Sequence, residues 1–164
     1  MKPMLALAAA ALWTACTFTP PTPPPAPVMA ANPAEYAPYL QPGDAVVSGQ
    51  VFMKTRGGDV KVGAGYPVYL DPVTTYARAW WRGRDASVDY FRMASPDTLF
   101  TRARHQAIVG AQGQFEISGL APGWYFAHSA VTWEIGGYYP TQGGVISDSV
   151  LVQAGKTVQL VLTE

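Results

Sequence analysis

Residues 110–133, Gly-Ala-Gln-Gly-Gln-Phe-Glu-Ile-Ser-Gly-Leu-Ala-Pro-Gly-Trp-Tyr-Phe-Ala-His-Ser-Ala-Val-Thr-Trp, read as two short strands with a tight turn on each side. Gly110 to Gly113 supply turn residues. Phe115 and Ile117 then alternate with Gln114, Glu116 and Ser118, the two-residue period of a strand with one buried face. Leu120 follows Gly119 and is expected to tuck beneath the fold as a plug. Ala121-Pro122-Gly123 is a turn with a mechanism, because proline presets one φ and glycine tolerates a positive one. A second strand, rich in aromatics, starts at Trp124, and the rest of the chain is expected to pack onto this pair.

Working outward, Ala45 to Lys54 alternates Val47, Gly49, Val51 and Met53 against Val46, Ser48, Gln50, Phe52 and Lys54, which predicts a strand. Thr55 to Gly65 is a polar, glycine-rich hairpin tip. Tyr66 to Asp71 is a strand stopped by Pro72, which has no N–H for a ladder. Gln106 to Val109 leads into the opening stretch. Val145 to Val152 and Thr157 to Thr163 are two more strands around Ala154-Gly155-Lys156, with Val158, Leu160 and Leu162 facing one way. The expected core is Phe115, Ile117, Leu120 and Tyr125 against Val47, Val51, Val68, Leu70, Leu160 and Leu162. Between strands, Val73 to Gly83 holds Tyr76, Trp80 and Trp81 near helical spacing, as a short helix or an irregular insertion. Asp85 to Ala94 alternates weakly, and Ser95-Pro96-Asp97 offers an N-cap and a first-turn proline for a short helix over 96–104.

The chain has 164 residues, enough for one modest domain with extensions. Lys+Arg and Asp+Glu number 11 each, so it lacks the basic footprint of a nucleic-acid binder. Residues 1–15 read as an export signal: Lys2 is the charged start, and Met4 to Leu12 is an apolar run too short for a bilayer. Thr14-Ala15-Cys16 is similar to the end of a bacterial lipobox, with Trp13 where that pattern has leucine. Cys16, the single cysteine, is therefore the expected lipidation site and rules out an internal disulfide. Residues 16–44, with the proline run at 19–27, read as a tether whose Ala34 to Leu40 stretch, with Tyr36 and Tyr39, docks loosely on the domain edge, and 45–164 as the folded domain. The expected location is the cell envelope, as an exported outer-membrane lipoprotein.

Val47-Ser48-Gly49-Gln50-Val51, then Gly65-Tyr66-Pro67-Val68-Tyr69-Leu70, then Gly113, Phe115, Ile117, Gly119, Leu120, Pro122, Gly123 and Tyr125 follow a known order. The chain resembles the carboxypeptidase regulatory-like domains of the transthyretin (prealbumin-like) fold over about residues 45–164. The resemblance implies an all-β, Greek-key β-sandwich of about seven strands. It departs from the family at 72–105, a long aromatic and basic insertion expected to hold one or two short helices. It is nearly silent on function, since such sandwiches carry many roles.

No catalytic constellation is legible. A relative of this fold hydrolyses 5-hydroxyisourate with a C-terminal Tyr-Arg-Gly-Ser motif, whereas this chain reads Leu-Val-Leu-Thr-Glu there. His105 and His128 offer no metal-ligand spacing and read as a surface residue and a strand residue bonded to backbone. Ser87, Ser95 and Ser129 lack a nucleophile elbow, Gly57-Gly58 and Gly136-Gly137 lack the lysine of a phosphate loop, and Asp85 and Asp89 lack an apolar pocket. No cofactor or metal is expected. The aromatics Trp80, Trp81, Tyr90, Phe91, Trp124, Trp133, Tyr138 and Tyr139 exceed what a sandwich must bury, and arginines 78, 82, 84, 92, 102 and 104 crowd the insertion. Two readings follow: the insertion packs its aromatics over an open sheet face, or Trp80, Trp81, Arg82 and Arg84 form a partner-binding surface. The functional expectation is a non-catalytic, lipid-anchored binding or assembly module with an envelope protein partner. The alternatives are a carbohydrate-binding accessory module using exposed Trp and Tyr, with a polysaccharide partner, and a subunit of an outer-membrane secretion or surface apparatus.

Overall fold

A computed structural model describes residues 29–86, 95–136 and 141–164. The strands in chain order are β1 (Ala45–Lys54), β2 (Val60–Val62), β3 (Pro67–Pro72), β4 (His105–Ile108), β5 (Gln114–Leu120), β6 (Gly123–Trp133), β7 (Gln142–Val152) and β8 (Thr157–Leu162). The helices are α1 (Pro33–Tyr36), α2 (Thr75–Ala86) and α3 (Thr98–Arg102), with a 3-10 turn at Ala37–Leu40. The described strands thus include one short element, β2, that the sequence reading left inside a hairpin tip. The expected signal, the lipidation site Cys16, Tyr90, Phe91, Arg92, Tyr138 and Tyr139 lie outside the described residues.

Alternation drives the architecture. In the first sheet β1 is central, pairing antiparallel with β5 (Val47 opposite Ile117, Gly49 opposite Phe115) and parallel with β8 (Gly49 opposite Leu160). β2 extends the sheet at the far end of β1, with Met53 opposite Lys61. The second sheet is antiparallel in the order β4-β3-β6-β7. Inward-facing residues of both sheets close on one another as an apolar core, removing from water the surface that favours folding. All ten residues expected in the core, from Val47 to Leu162, lie in this cluster. The all-β sandwich is therefore as the sequence predicts. A Cβ at Gly49 would stand 1.7 Å from the Leu160 carbonyl oxygen, so the bare glycine is what lets β8 approach β1.

The outer face of the second sheet is covered over Tyr69, Asp71 and His128. α2 sets Tyr76, Ala77, Trp80 and Trp81 at one-turn spacing, so one stripe faces the sheet. Tyr76, Ala77, Phe100 and Ala103 form a second apolar cluster with Ala31 and Tyr36, and Trp80 and Phe126 pack against it. The Asp97 side chain, 2.8 Å from the Leu99 N–H, caps α3. The cap expected at Ser95 thus falls on Asp97, because Pro96 precedes the helix and Asp97 holds the extended backbone a cap requires.

The end of the linker, Ala34 to Leu40 with Tyr36 and Tyr39, expected to dock loosely on the domain edge, packs closely against the body. Tyr36 is fully buried, and the Thr74 hydroxyl donates to its phenolic oxygen at 2.7 Å. Glu35 accepts the Thr75 N–H at 2.6 Å, and Asp97 accepts the Ala31 N–H at 3.1 Å. Residues 31–40 therefore belong to the folded body, since two tyrosines in a short turn carry enough apolar area to dock. Burial pushes the Tyr36 phenol up to about 12, offset in part by the Thr74 hydrogen bond.

Candidate functional site

Of the residues predicted as a partner surface, both tryptophans are half-buried. Trp80 is half-buried, stacked on Tyr76 at 6.3 Å and tilted against Phe100 at 5.8 Å. Trp81, also half-buried, sets an edge-on contact of 4.4 Å with the His128 ring. Arg82 is exposed, and its Nε–H donates to the Arg78 carbonyl at 3.2 Å. Arg84 lies in α2 with its side chain outside the described atoms. Of the two readings of the insertion, the cover over an open sheet face describes where these tryptophans sit.

Beneath α2 lies a polar group that sequence reasoning missed. Asp71 on β3 has no solvent exposure and receives a forked pair of bonds from Arg104, at 2.6 and 2.9 Å. Its second oxygen is 3.2 Å from His128 Nε2 on β6. Burial alone would raise the Asp71 carboxyl, but the bonds from His128 and Arg104 and the guanidinium charge outweigh it and hold the group below its usual value. Tyr69 stacks on His128 at 4.9 Å, and the Arg104 guanidinium sits 4.7 Å above the Tyr69 ring and 5.0 Å from that of Phe100. His128 therefore bonds the Asp71 side chain through Nε2. It is 6% exposed and walled by rings, so the triad's geometry fastens the insertion to the sheet. His105, expected at the surface, is half-buried in β4 beside Tyr125, and burial lowers its pKa. Among the described residues no group of three or more His, Cys, Asp or Glu side chains is placed to hold a metal.

A ligand-sized opening lies elsewhere, at the end of the sandwich where the β1–β2 hairpin meets the ends of β6 and β7. This cleft of about 830 Å³ has Trp133 and Ile135 on its wall. Lys54, Arg56 and Lys61 approach from the hairpin, Asp59 from its tip, Glu134 and Gln142 from β6 and β7, and Glu164 from the end of the chain. Register explains the placement: Lys61 opposes Met53, which faces inward, so Lys61 turns toward the sandwich end. Trp133 opposes Gln142 and lies against Gly143, where a Cβ would stand 2.8 Å from the indole. Among the described residues none of these charged side chains forms an ion pair with another. A half-buried indole with amide, carboxylate, ammonium and guanidinium groups can stack on a ring face while donating to and accepting from several hydroxyls. Trp133 stood in the aromatic surplus of the sequence, but only the neighbouring hairpin turns it into a wall.

Fold and cleft together define an all-β sandwich with an open, polar-rimmed binding groove. The chain matches no protein-family model and no curated protein. It is similar in structure to a putative carbohydrate binding protein from Pseudomonas aeruginosa, known from a crystal structure, with a TM-score of 0.66 and 23% sequence identity. The match covers 82% of this chain and 97% of that one, and at this identity it establishes the shared fold.

Proposed function

We propose that this chain is a non-catalytic binding module of the bacterial envelope that takes carbohydrate in the Trp133 cleft. The observation that carries the reading is the make-up of that cleft: an indole wall, and planar or charged polar groups that have no ion-pair partner among the described residues. Its volume of about 830 Å³ suits a short saccharide and falls within the usual range for ligand sites. The likeness to a protein described as carbohydrate binding supports the ligand class. In this reading the sandwich is a transthyretin-like Greek key of the carboxypeptidase regulatory-like kind, the chain is exported, and the Thr14-Ala15-Cys16 segment supports lipidation of Cys16. The test is calorimetric titration with neutral trisaccharides of glucose, galactose and N-acetylglucosamine. At least one should bind, and Gln142→Ala with Glu134→Gln should weaken it about tenfold at an unchanged melting temperature. A panel in which no member binds sinks the reading.

A further inference from the structure

A second aromatic surface stands at the other end of β6. Trp124 is 49% exposed on the outer face of the second sheet, opposite Leu151 of β7, itself 43% exposed. With Val73, Arg78, Phe126 and Ser149 it lines a depression of about 240 Å³. The backbone holds the depression in shape, because the Val73 N–H donates to the Trp124 carbonyl at 2.9 Å. Arg78 reaches in from the solvent side of α2, and its guanidinium carbon lies 6.0 Å from the Phe126 ring centroid. Among the described residues Arg78 has no carboxylate partner.

We propose that this depression is a second saccharide subsite, selective for a sugar bearing a carboxylate, with Trp124 as its stacking face and Arg78 as its anion clamp. The inference rests on the reading of the chain as a carbohydrate-binding module and adds a charge preference to it. The exposed indole offers a flat face to the C–H surface of a pyranose, and Ser149 at the rim exchanges hydrogen bonds with ring hydroxyls. The guanidinium fork matches a carboxylate in two parallel bonds, which an ammonium would not. Its contact with Phe126 limits where the fork can go, so less freedom is lost on binding. The Trp133 cleft differs in kind. There Lys54, Arg56 and Lys61 face Asp59, Glu134 and Glu164, so the lining charges balance and select little by sign. Here, among the described lining residues, the one charged group is a cation beside rings. Trp133 lies nine positions along the strand from Trp124, about 30 Å at the usual rise, so the sites are distinct.

The experiment titrates the full chain with trigalacturonate, with its methyl ester and with galactotriose, in wild type, Arg78→Gln and Trp124→Ala. Wild type should prefer the free acid to the ester by about tenfold, as expected for loss of a charge-assisted bidentate contact. The preference should shrink as salt is raised. Arg78→Gln should abolish it without altering the melting temperature, and Trp124→Ala should weaken the acid while sparing galactotriose. Equal binding of acid and ester by wild type, or a preference that survives Arg78→Gln, overturns the subsite while galactotriose binding leaves the Trp133 reading standing. Should wild type bind none of the three and no neutral trisaccharide, both readings fall together.

Discussion

Asp71 lies one residue from the end of β3, and its carboxylate is shut away from water with Arg104 and His128 as its partners. The strand's last acid was visible in the sequence, as was the crowd of arginines, but the pairing was not. Arg104 lies 33 positions away and His128 57, and no local periodicity records contacts across such distances. The core was legible for the opposite reason: burying Phe115 or Leu160 needs only an alternating pattern, whichever strand lies opposite. Asp71→Asn keeps the volume but turns an amide N–H₂ toward a donor, and should cost about 2–3 kcal/mol in urea denaturation at pH 7. The pH dependence follows in sign. The Asp71 carboxyl is depressed in the folded state below its unfolded value of 3.8, so its stabilisation is complete above that value and is lost as pH falls through the lower, folded one. His105 is likewise depressed from 6.5, so the unfolded chain takes up its proton first and stability declines as pH drops below about 6.5. A denaturation midpoint that holds constant from pH 7 to 3 would contradict both assignments.

Elements show where legibility stops. β5 could be read because one face is buried and the other is not, and a slip of one residue would expose the whole apolar set. Phe115 is 5% exposed in the centre of that register, and Phe115→Ala should cost about 3–5 kcal/mol, read as a fall in the denaturation midpoint at constant slope. The helical spacing of Tyr76, Trp80 and Trp81 was equally plain, yet an amphipathic stripe looks the same whether it faces its own sheet or a partner. The outer face of β3 and β6 decides it, and Tyr69, Phe126 and His128 disclose that face only once the two strands are paired. Trp80→Ala with Trp81→Ala should therefore lower the thermal midpoint by well over 5 °C, since both rings fill the seam between helix and sheet. A double variant that melts like wild type would restore the partner-surface expectation.

At the scale of the molecule, the arm at residues 31–40 decides how the insertion is held. Its contacts reach both segments that flank the insertion's undescribed stretch: Glu35 accepts the first N–H of α2, and Asp97 just before α3 accepts the Ala31 N–H. Tyr36 fills the space among Tyr76, Ala77 and Phe100, while Tyr39 meets Tyr125 edge-on at 5.4 Å and lies where a Cβ on Gly123 would be, 2.5 Å from its hydroxyl. The arm thus touches the cover and the sandwich together and couples them. The two tyrosines marked Ala34 to Leu40 in the sequence as a stretch that docks on the domain edge, but so short a segment with prolines has no period long enough to announce full burial of Tyr36. Removing residues 29–40 would open the Tyr36 cavity, take Glu35 from the Thr75 N–H and leave the Thr74 hydroxyl without the acceptor of its proton. Amide exchange should then quicken over α2 and α3 while β1, β5 and β6 keep their protection, and the thermal midpoint should fall by several degrees. Unchanged exchange in α2 would mean that the Asp71 group alone holds the cover down. Equal loss across β1 and α2 would mean that arm, cover and sandwich unfold as one unit.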